Sequence, residues 1–266
     1  MATVFEEVVH DLAEEHRALE RVLERLAPSV FEQPTHAIGW AVRDQVAHLA
    51  HFDEAAALAI TDAEALREHF RRPENGEPAY LERARTLAHG DLLEWWRTAS
   101  SNLRAALKSL DPAARIPWAG PPMSGVSHVT ARLMETWAHG QAVYDLLGVE
   151  RQDGDRIRNI VVLGINTFGW TFTVHEQPVP ERMPQVRLTA PSGAMWTFGD
   201  ASESECIEGQ ATEFCQVVTQ VRNVADTSLR VTGPVASHWM RIAQAFAGPP
   251  ETPPAPGTRI REPAAN

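Results

Sequence analysis

Between residues 5 and 147, apolar side chains recur at three- and four-residue steps in four long stretches, each followed by a proline or glycine. No other feature constrains the fold as much, because a helix with one apolar stripe must cover it, and similar helices nearby are the obvious cover. The first stretch carries Phe5, Val8, Val9, Leu12, Leu19, Val22, Leu23 and Leu26, and Pro28 follows it. The second starts near Val42, beyond the Pro34–Gly39 breakers, and runs into the sixties with Val46, Leu49, Phe52, Ala56 and Ile60 on one face. A polar break at residues 71–76 leads to a third helix expected over Ala79–Leu110, which Asp111-Pro112 stops. Pro117, Gly120, Pro121 and Pro122 form a stiff connection to a fourth, Val126–Leu147, with Gly148 at the place of a left-handed C-terminal cap. The expected architecture is a four-helix bundle.

Beyond Gly148 the period changes. Residues 156–174 are mixed and begin as another helix, while Pro184–Thr189 and Met195–Phe198 alternate around Pro191-Ser192-Gly193 as a β-hairpin would. A third strand is expected at Ser204–Ile207, a helix at Thr212–Asn223, a strand at Leu229–Thr232 and a last helix at Val235–Phe246. The fold class is therefore α followed by α+β. Residues 1–150 form the bundle, 151–248 a smaller α+β domain, and 249–266 a Pro-rich tail expected to be disordered.

Lys and Arg total 24 against 35 Asp and Glu, a net charge of −11, which disfavours nucleic acid and anionic lipid as partners. Two cysteines, Cys206 and Cys215, cannot make a disulfide framework or a four-thiolate zinc site, and both read as small buried residues. Residues 1–7 lack a basic n-region and an apolar h-region, and the apolar run Ile160–Val174 is too short and too interrupted for a membrane span. Cytoplasm is the expected compartment. The oligomeric state is expected to be monomer or homodimer.

There is no Gly-rich phosphate loop, no G-x-S-x-G and no H-E-x-x-H, so the chemistry must come from polar residues scattered over the helices. Glu135 and His139, four apart, share a helix face with Cβ atoms about 5–6 Å apart. That spacing suits two ligands of one metal, a carboxylate orienting an imidazole, or an ordinary surface pair. On the second helix, His48 lies roughly 100° from the centre of the apolar face and His51 roughly 160° from it, so His48 is expected to look inward and His51 to be solvated. Asp53 falls inside the apolar stripe and needs a partner, either in a local structural hydrogen bond or behind a site. His48, Glu135 and His139 together would form a two-histidine, one-carboxylate set that holds Zn²⁺, or Fe²⁺ or Ni²⁺, with a position open for water or a thiol. The remaining histidines are expected at the surface or at caps, and most of the eight tryptophans in the core.

Trp40-Ala-Val-Arg-Asp-Gln-Val-Ala-His48-Leu-Ala and Arg132-Leu-Met-Glu135-Thr-Trp-Ala-His139-Gly-Gln resemble the actinobacterial, mycothiol-dependent maleylpyruvate isomerase-like group of the DinB superfamily, and within it a subgroup described as metal-binding. Pro117–Met123, Leu188–Gly193 and Ala245–Pro250 are similar to that subgroup too. The C-terminal half also resembles a domain labelled after wyosine base formation, but the charge gives a tRNA role no support. The resemblance implies a DinB-like four-helix bundle and a C-terminal domain similar to sterol carrier proteins. It implies a metal held by a histidine of the second helix and a Glu and His of the fourth, which fall on His48, Glu135 and His139. It also implies an arginine from the C-terminal domain, best matched by Arg222, that would contact an anionic part of thiol or substrate.

Three positions depart from the pattern the resemblance implies. Ala41 stands where a capping Thr or Ser is usual, Ala142 where an Asp is expected, and Val162 where a His is frequent. The expected function is a metal-dependent enzyme, most simply with Zn²⁺, that uses a low-molecular-weight thiol such as mycothiol for S-transfer to, or isomerisation of, a small electrophilic metabolite. The alternatives are a non-catalytic metal- or ligand-binding protein and a metal-dependent hydrolase.

Overall fold

The computed structural model describes residues 2–71, 77–118 and 122–259. It divides into two compact units, Met1–Val143 and Tyr144–Asn266. Most of the polar break at residues 71–76, and Gly120 and Pro121 of the stiff connection, lie outside the described residues.

In the first unit, α1 (Val4–Leu23), α2 (Val42–Thr61), α5 (His89–Lys108) and α6 (Gly125–Leu146) are the long helices of the expected bundle. Thr3 starts α1 with a reciprocal cap: its hydroxyl accepts from the Glu6 N–H, and its own N–H donates to the Glu6 carboxylate at 2.7 Å. The stripe of Phe5, Val8, Leu12, Leu19 and Leu23 is buried as the spacing requires. Helix α2 is buried on most of its circumference, because its many alanines let α5 and the short helices α3 (Ala63–His69) and α4 (Ala79–Thr86) approach closely.

Two expected helices are each broken in two. Asp62 takes an extended conformation, accepts from the N–H groups of Glu64 and Ala65, and so ends α2 while capping α3. The third helix, expected unbroken over 79–110, stops at Thr86 and restarts at His89. The carbonyls freed there are taken by side chains: Arg43 donates to Ala84 O at 2.8 Å and the Thr86 hydroxyl to Arg83 O at 2.8 Å.

Asp53, unexpected in an apolar stripe, is fully buried and meets three other helices. Its carboxylate accepts from Arg132 Nε of α6 at 3.0 Å and Trp96 Nε1 of α5 at 3.2 Å, and lies 3.3 Å from His16 Nε2 of α1. Burial pushes the carboxyl up, yet Arg132 and His16 prevail and hold it below its ordinary value. His16 and His128, read as surface residues, are buried. His128 Nε2 donates to Ala56 O at 3.1 Å, adding a second tie between α6 and α2.

The last turn of α6 groups with the second unit. Gly148, at φ 65, closes that helix: its N–H donates to Asp145 O, and the Val149 N–H to Tyr144 O. There follow α7 (Arg158–Asn166), α8 (Phe168–Val174), β3 (Gln185–Thr189), β4 (Met195–Phe198), β5 (Cys206–Gln210), α9 (Ala211–Val218), β6 (Arg230–Thr232) and α10 (Pro234–Ile242). A short pair, β1 (Arg115–Ile116) with β2 (Met123–Ser124), precedes α6 in the first unit. The larger sheet has the order β4-β3-β5-β6. The hairpin β3–β4 is antiparallel as expected, and β5 runs parallel to β3 with Val186 opposite Ile207. Phe168, Phe214 and Trp239 form an aromatic core among the helices, and both cysteines are buried thiols.

Residues 249–259 of the Pro-rich tail make hydrogen bonds within the second unit. Gln220 Nε2 donates to Ala243 O and Glu251 O, Asn223 Nδ2 to Pro254 O, and Arg259 Nη1 to Gln220 O; the Gly257 N–H donates to the Asp226 carboxylate. The rest of the expected tail, residues 260–266, lies outside the described residues.

Candidate metal centre

Packing of α6 against α2 brings His48, Glu135 and His139 to one point. His48 Nε2 lies 3.1 Å and His139 Nε2 3.2 Å from the same oxygen, Glu135 Oε2. The two imidazole centroids are 4.0 Å apart, and one donor atom from each residue lies within 4.8 Å of the others. Neighbouring donors around a tetrahedral zinc ion with bonds near 2.1 Å are about 3.4 Å apart, close to the two separations from Glu135 Oε2.

The surroundings of His139 set its tautomer. Its Nδ1–H donates to Gln45 Oε1 at 2.6 Å. The Gln45 amide is oriented in turn, since its Nε2 donates to Thr35 Oγ1 at 2.9 Å and that hydroxyl donates to Trp40 O at 2.8 Å. A neutral imidazole has one proton, and with that proton on Nδ1 the lone pair of Nε2 faces the Glu135 carboxylate. A cation between them, or a second proton, relieves the repulsion. Gln45 stands where a group orienting a metal-bound histidine is wanted.

The protonation states suit ligation. Burial, assisted by His139, pulls His48 down to about 4, against the pull of Glu135. Burial pushes Glu135 up, but the adjoining His139 and His48 rings prevail and hold it well below the usual carboxylate range. At neutral pH His48 is therefore a neutral ring beside an ionised carboxylate. Trp40 stacks on His139 with centroids 5.6 Å apart, Phe52 lies 4.4 Å from His48, and the Tyr80 hydroxyl is 3.5 Å from His48 Nδ1. Glu135 and His139 keep 25% and 21% of their side-chain surface exposed, so a small ligand can reach the point of convergence.

Residue spacing leads to the three converging residues but not to Gln45, Trp40 and Tyr80. Gln45 is within reach of such spacing, because it lies one turn before His48 on the same helix. Ala142 offers no polar group to the triad, and the partner that orients His139 comes from α2 instead. His51, expected to be solvated, is half-buried: its ring stacks on His69 at 4.1 Å and on Tyr80 at 4.5 Å. The turn at Asp62 folds α3 back beside it, and burial together with His69 pulls it down to about 3. Arg222 belongs to the second unit, where Nη1 donates to Asp145 Oδ2 at 2.6 Å and Nη2 to Asp145 Oδ1. Its charge is thus neutralised within that unit.

A four-helix bundle with a two-histidine, one-glutamate cluster on facing helices, followed by an α+β unit, defines the class. Residues 12–144 match the family described as mycothiol maleylpyruvate isomerase N-terminal domain, and the chain belongs to that family. Two uncharacterized proteins of Mycobacterium tuberculosis, from strains CDC 1551 / Oshkosh and ATCC 25618 / H37Rv, are each 36% identical over 246 residues, covering 91% of this chain and 96% of theirs. A crystal structure of the mycothiol-dependent maleylpyruvate isomerase is similar with a TM-score of 0.55 at 16% identity. Its histidine-to-alanine mutant is similar with a TM-score of 0.57 at 15% identity. Each likeness covers 82% of this chain and 91% of the other, and at that identity it concerns the fold. Among the described residues no helix is long and apolar enough to cross a membrane.

Proposed function

We propose that the chain is a thiol-dependent enzyme of the isomerase type, with a divalent ion, Zn²⁺ by its donor chemistry, held by His48, Glu135 and His139. The co-substrate in this proposal is mycothiol, and the substrate a small conjugated electrophile of the maleylpyruvate kind. The single observation that carries it is the convergence of both imidazole Nε2 atoms on one carboxylate oxygen, with the proton of His139 already engaged by Gln45.

An ion bound there supplies Lewis acidity, which lowers the pKa of a coordinated thiol so that thiolate exists at neutral pH. The side chains do the rest. Glu135 offsets half of a dication's charge, and Gln45 keeps the Nε2 lone pair of His139 directed at the centre. Trp40 and Phe52 wall the site with apolar surface and strengthen electrostatic interactions inside it. A thiolate that adds to a conjugated double bond leaves a single bond free to rotate, and its departure restores the double bond in the other geometry. With an acceptor that keeps the sulfur, the same arrangement gives S-transfer. Arg222 enters as the partner of Asp145, and any other anion would have to displace that carboxylate.

Protein purified without an affinity tag should contain about one metal per chain at the triad and isomerise maleylpyruvate only when mycothiol is present. His48→Ala and His139→Ala should lose that metal and the turnover together. Full turnover by metal-depleted protein would overturn the proposal, and turnover without thiol would point to hydrolysis by bound water instead.

A further inference from the structure

One turn along α2 from His48, a second cluster has the same donor types. His51 and Glu54 lie three apart on α2, His69 ends α3, and one donor atom from each lies within 4.8 Å of the others. We infer that His51, Glu54 and His69 form a second divalent transition-metal site, separate from the triad of His48, Glu135 and His139.

Three features support this. His69 Nε2 lies 3.0 Å from His51 O and, as the donor to that carbonyl, leaves Nδ1 as the ring atom with a lone pair. A backbone carbonyl that fixes the tautomer of a histidine in this way is a common support for a metal ligand. Glu54 is positioned likewise: Trp95 Nε1 donates to its Oε1 at 2.7 Å, and Oε2 remains to bind an ion. The donor set is two imidazole nitrogens and one carboxylate oxygen, suited to Zn²⁺, Co²⁺ or Ni²⁺ rather than to Mg²⁺ or Ca²⁺.

The position gives such an ion a consequence for its neighbour. The Tyr80 ring stacks on His51 at 4.5 Å while its hydroxyl lies 3.5 Å from His48 Nδ1. An ion on His51 and His69 would clamp α3 to α2 and hold His51 in the orientation on which Tyr80 rests.

The test is a titration of the full, untagged, metal-depleted chain with Co²⁺, followed by the d–d absorption bands and by metal analysis after gel filtration. Two equivalents are expected for the wild type. His69→Ala and Glu54→Gln should each bind one, and Glu54→Gln keeps the acceptor for Trp95, so its fold is expected to survive. His139→Ala should also bind one, with the spectrum of the other site, so failure of either site is separable from failure of the other. One equivalent in the wild type, unchanged in His69→Ala and Glu54→Gln, would overturn the inference. Two equivalents retained in both variants would overturn it as well, because the second ion would then lie elsewhere.

Discussion

His139 and Gln45 are joined by a 2.6 Å hydrogen bond from the imidazole Nδ1–H to the amide oxygen, across two helices separated by most of the bundle's sequence. The bond fixes which ring nitrogen of His139 has the lone pair.

Gln45→Leu removes that constraint while keeping the volume. Its metal affinity is expected to fall about 10–100-fold, the usual effect of losing a group that orients a ligand. Gln45→Glu, which accepts more strongly, is expected to retain or raise it. Competition with a chromophoric chelator measures both, and equal affinity in Gln45→Leu and wild type would remove Gln45 from the site.

Stability of the metal-free protein should depend on pH in a defined direction. Burial lowers His48 and His128 to about 4, whereas both sit near 6.5 when unfolded. Between those values the unfolded chain binds more protons, so stability is full above about pH 6.5 and declines as the pH drops toward 4. Urea midpoints of chelator-treated protein at pH 7.5, 5.5 and 4.5 should fall in that order. His128→Gln, which keeps a donor for Ala56 O, should show a shallower decline, and an identical slope would count against it.

The buried Asp53–Arg132 pair should be costly to break. Asp53→Asn leaves Arg132, whose side chain is 3% exposed, without its counter-charge, and the expected loss is about 3–5 kcal/mol of unfolding free energy. Combining it with Arg132→Met should recover part of that loss. Additive effects in this double-mutant cycle would show that the two groups are not coupled.

At the start of α2 only half of a capping box exists: the Ala41 N–H donates to Asp44 Oδ2 at 2.8 Å, but Ala41 has no oxygen to offer in return. Ala41→Ser supplies it and is expected to stabilise the protein by about 0.5–2 kcal/mol. No gain in the thermal midpoint would mean that the Asp44 N–H, which already reaches Ala41 O, needs no further partner.

The long helices were legible because each has a continuous apolar stripe, and Glu135 with His139 because four residues make one turn. The placement of His48 beside them depends on which helices pack together, which periodicity alone does not settle; its angle on α2 makes it the candidate and the family resemblance points to the same residue. The interruption at Leu87–Ala88 has no proline to announce it and depends on a distant donor, Arg43. His51 departs from its expected exposure for a related reason. A helix wheel gives its angle on α2 but does not show that Asp62 turns the chain back to cover that side.

The segment Pro249–Arg259 has few N–H groups of its own and many carbonyls. A partner for such a segment must therefore supply donors, and Gln220 and Asn223 do so with their side-chain amides. Prolines here ease the attachment, since an already stiff strand loses little freedom when it is laid down. Whether a proline-rich end stays loose is thus decided by the wall beside it as much as by its own composition, and in this chain two amides make that wall adhesive.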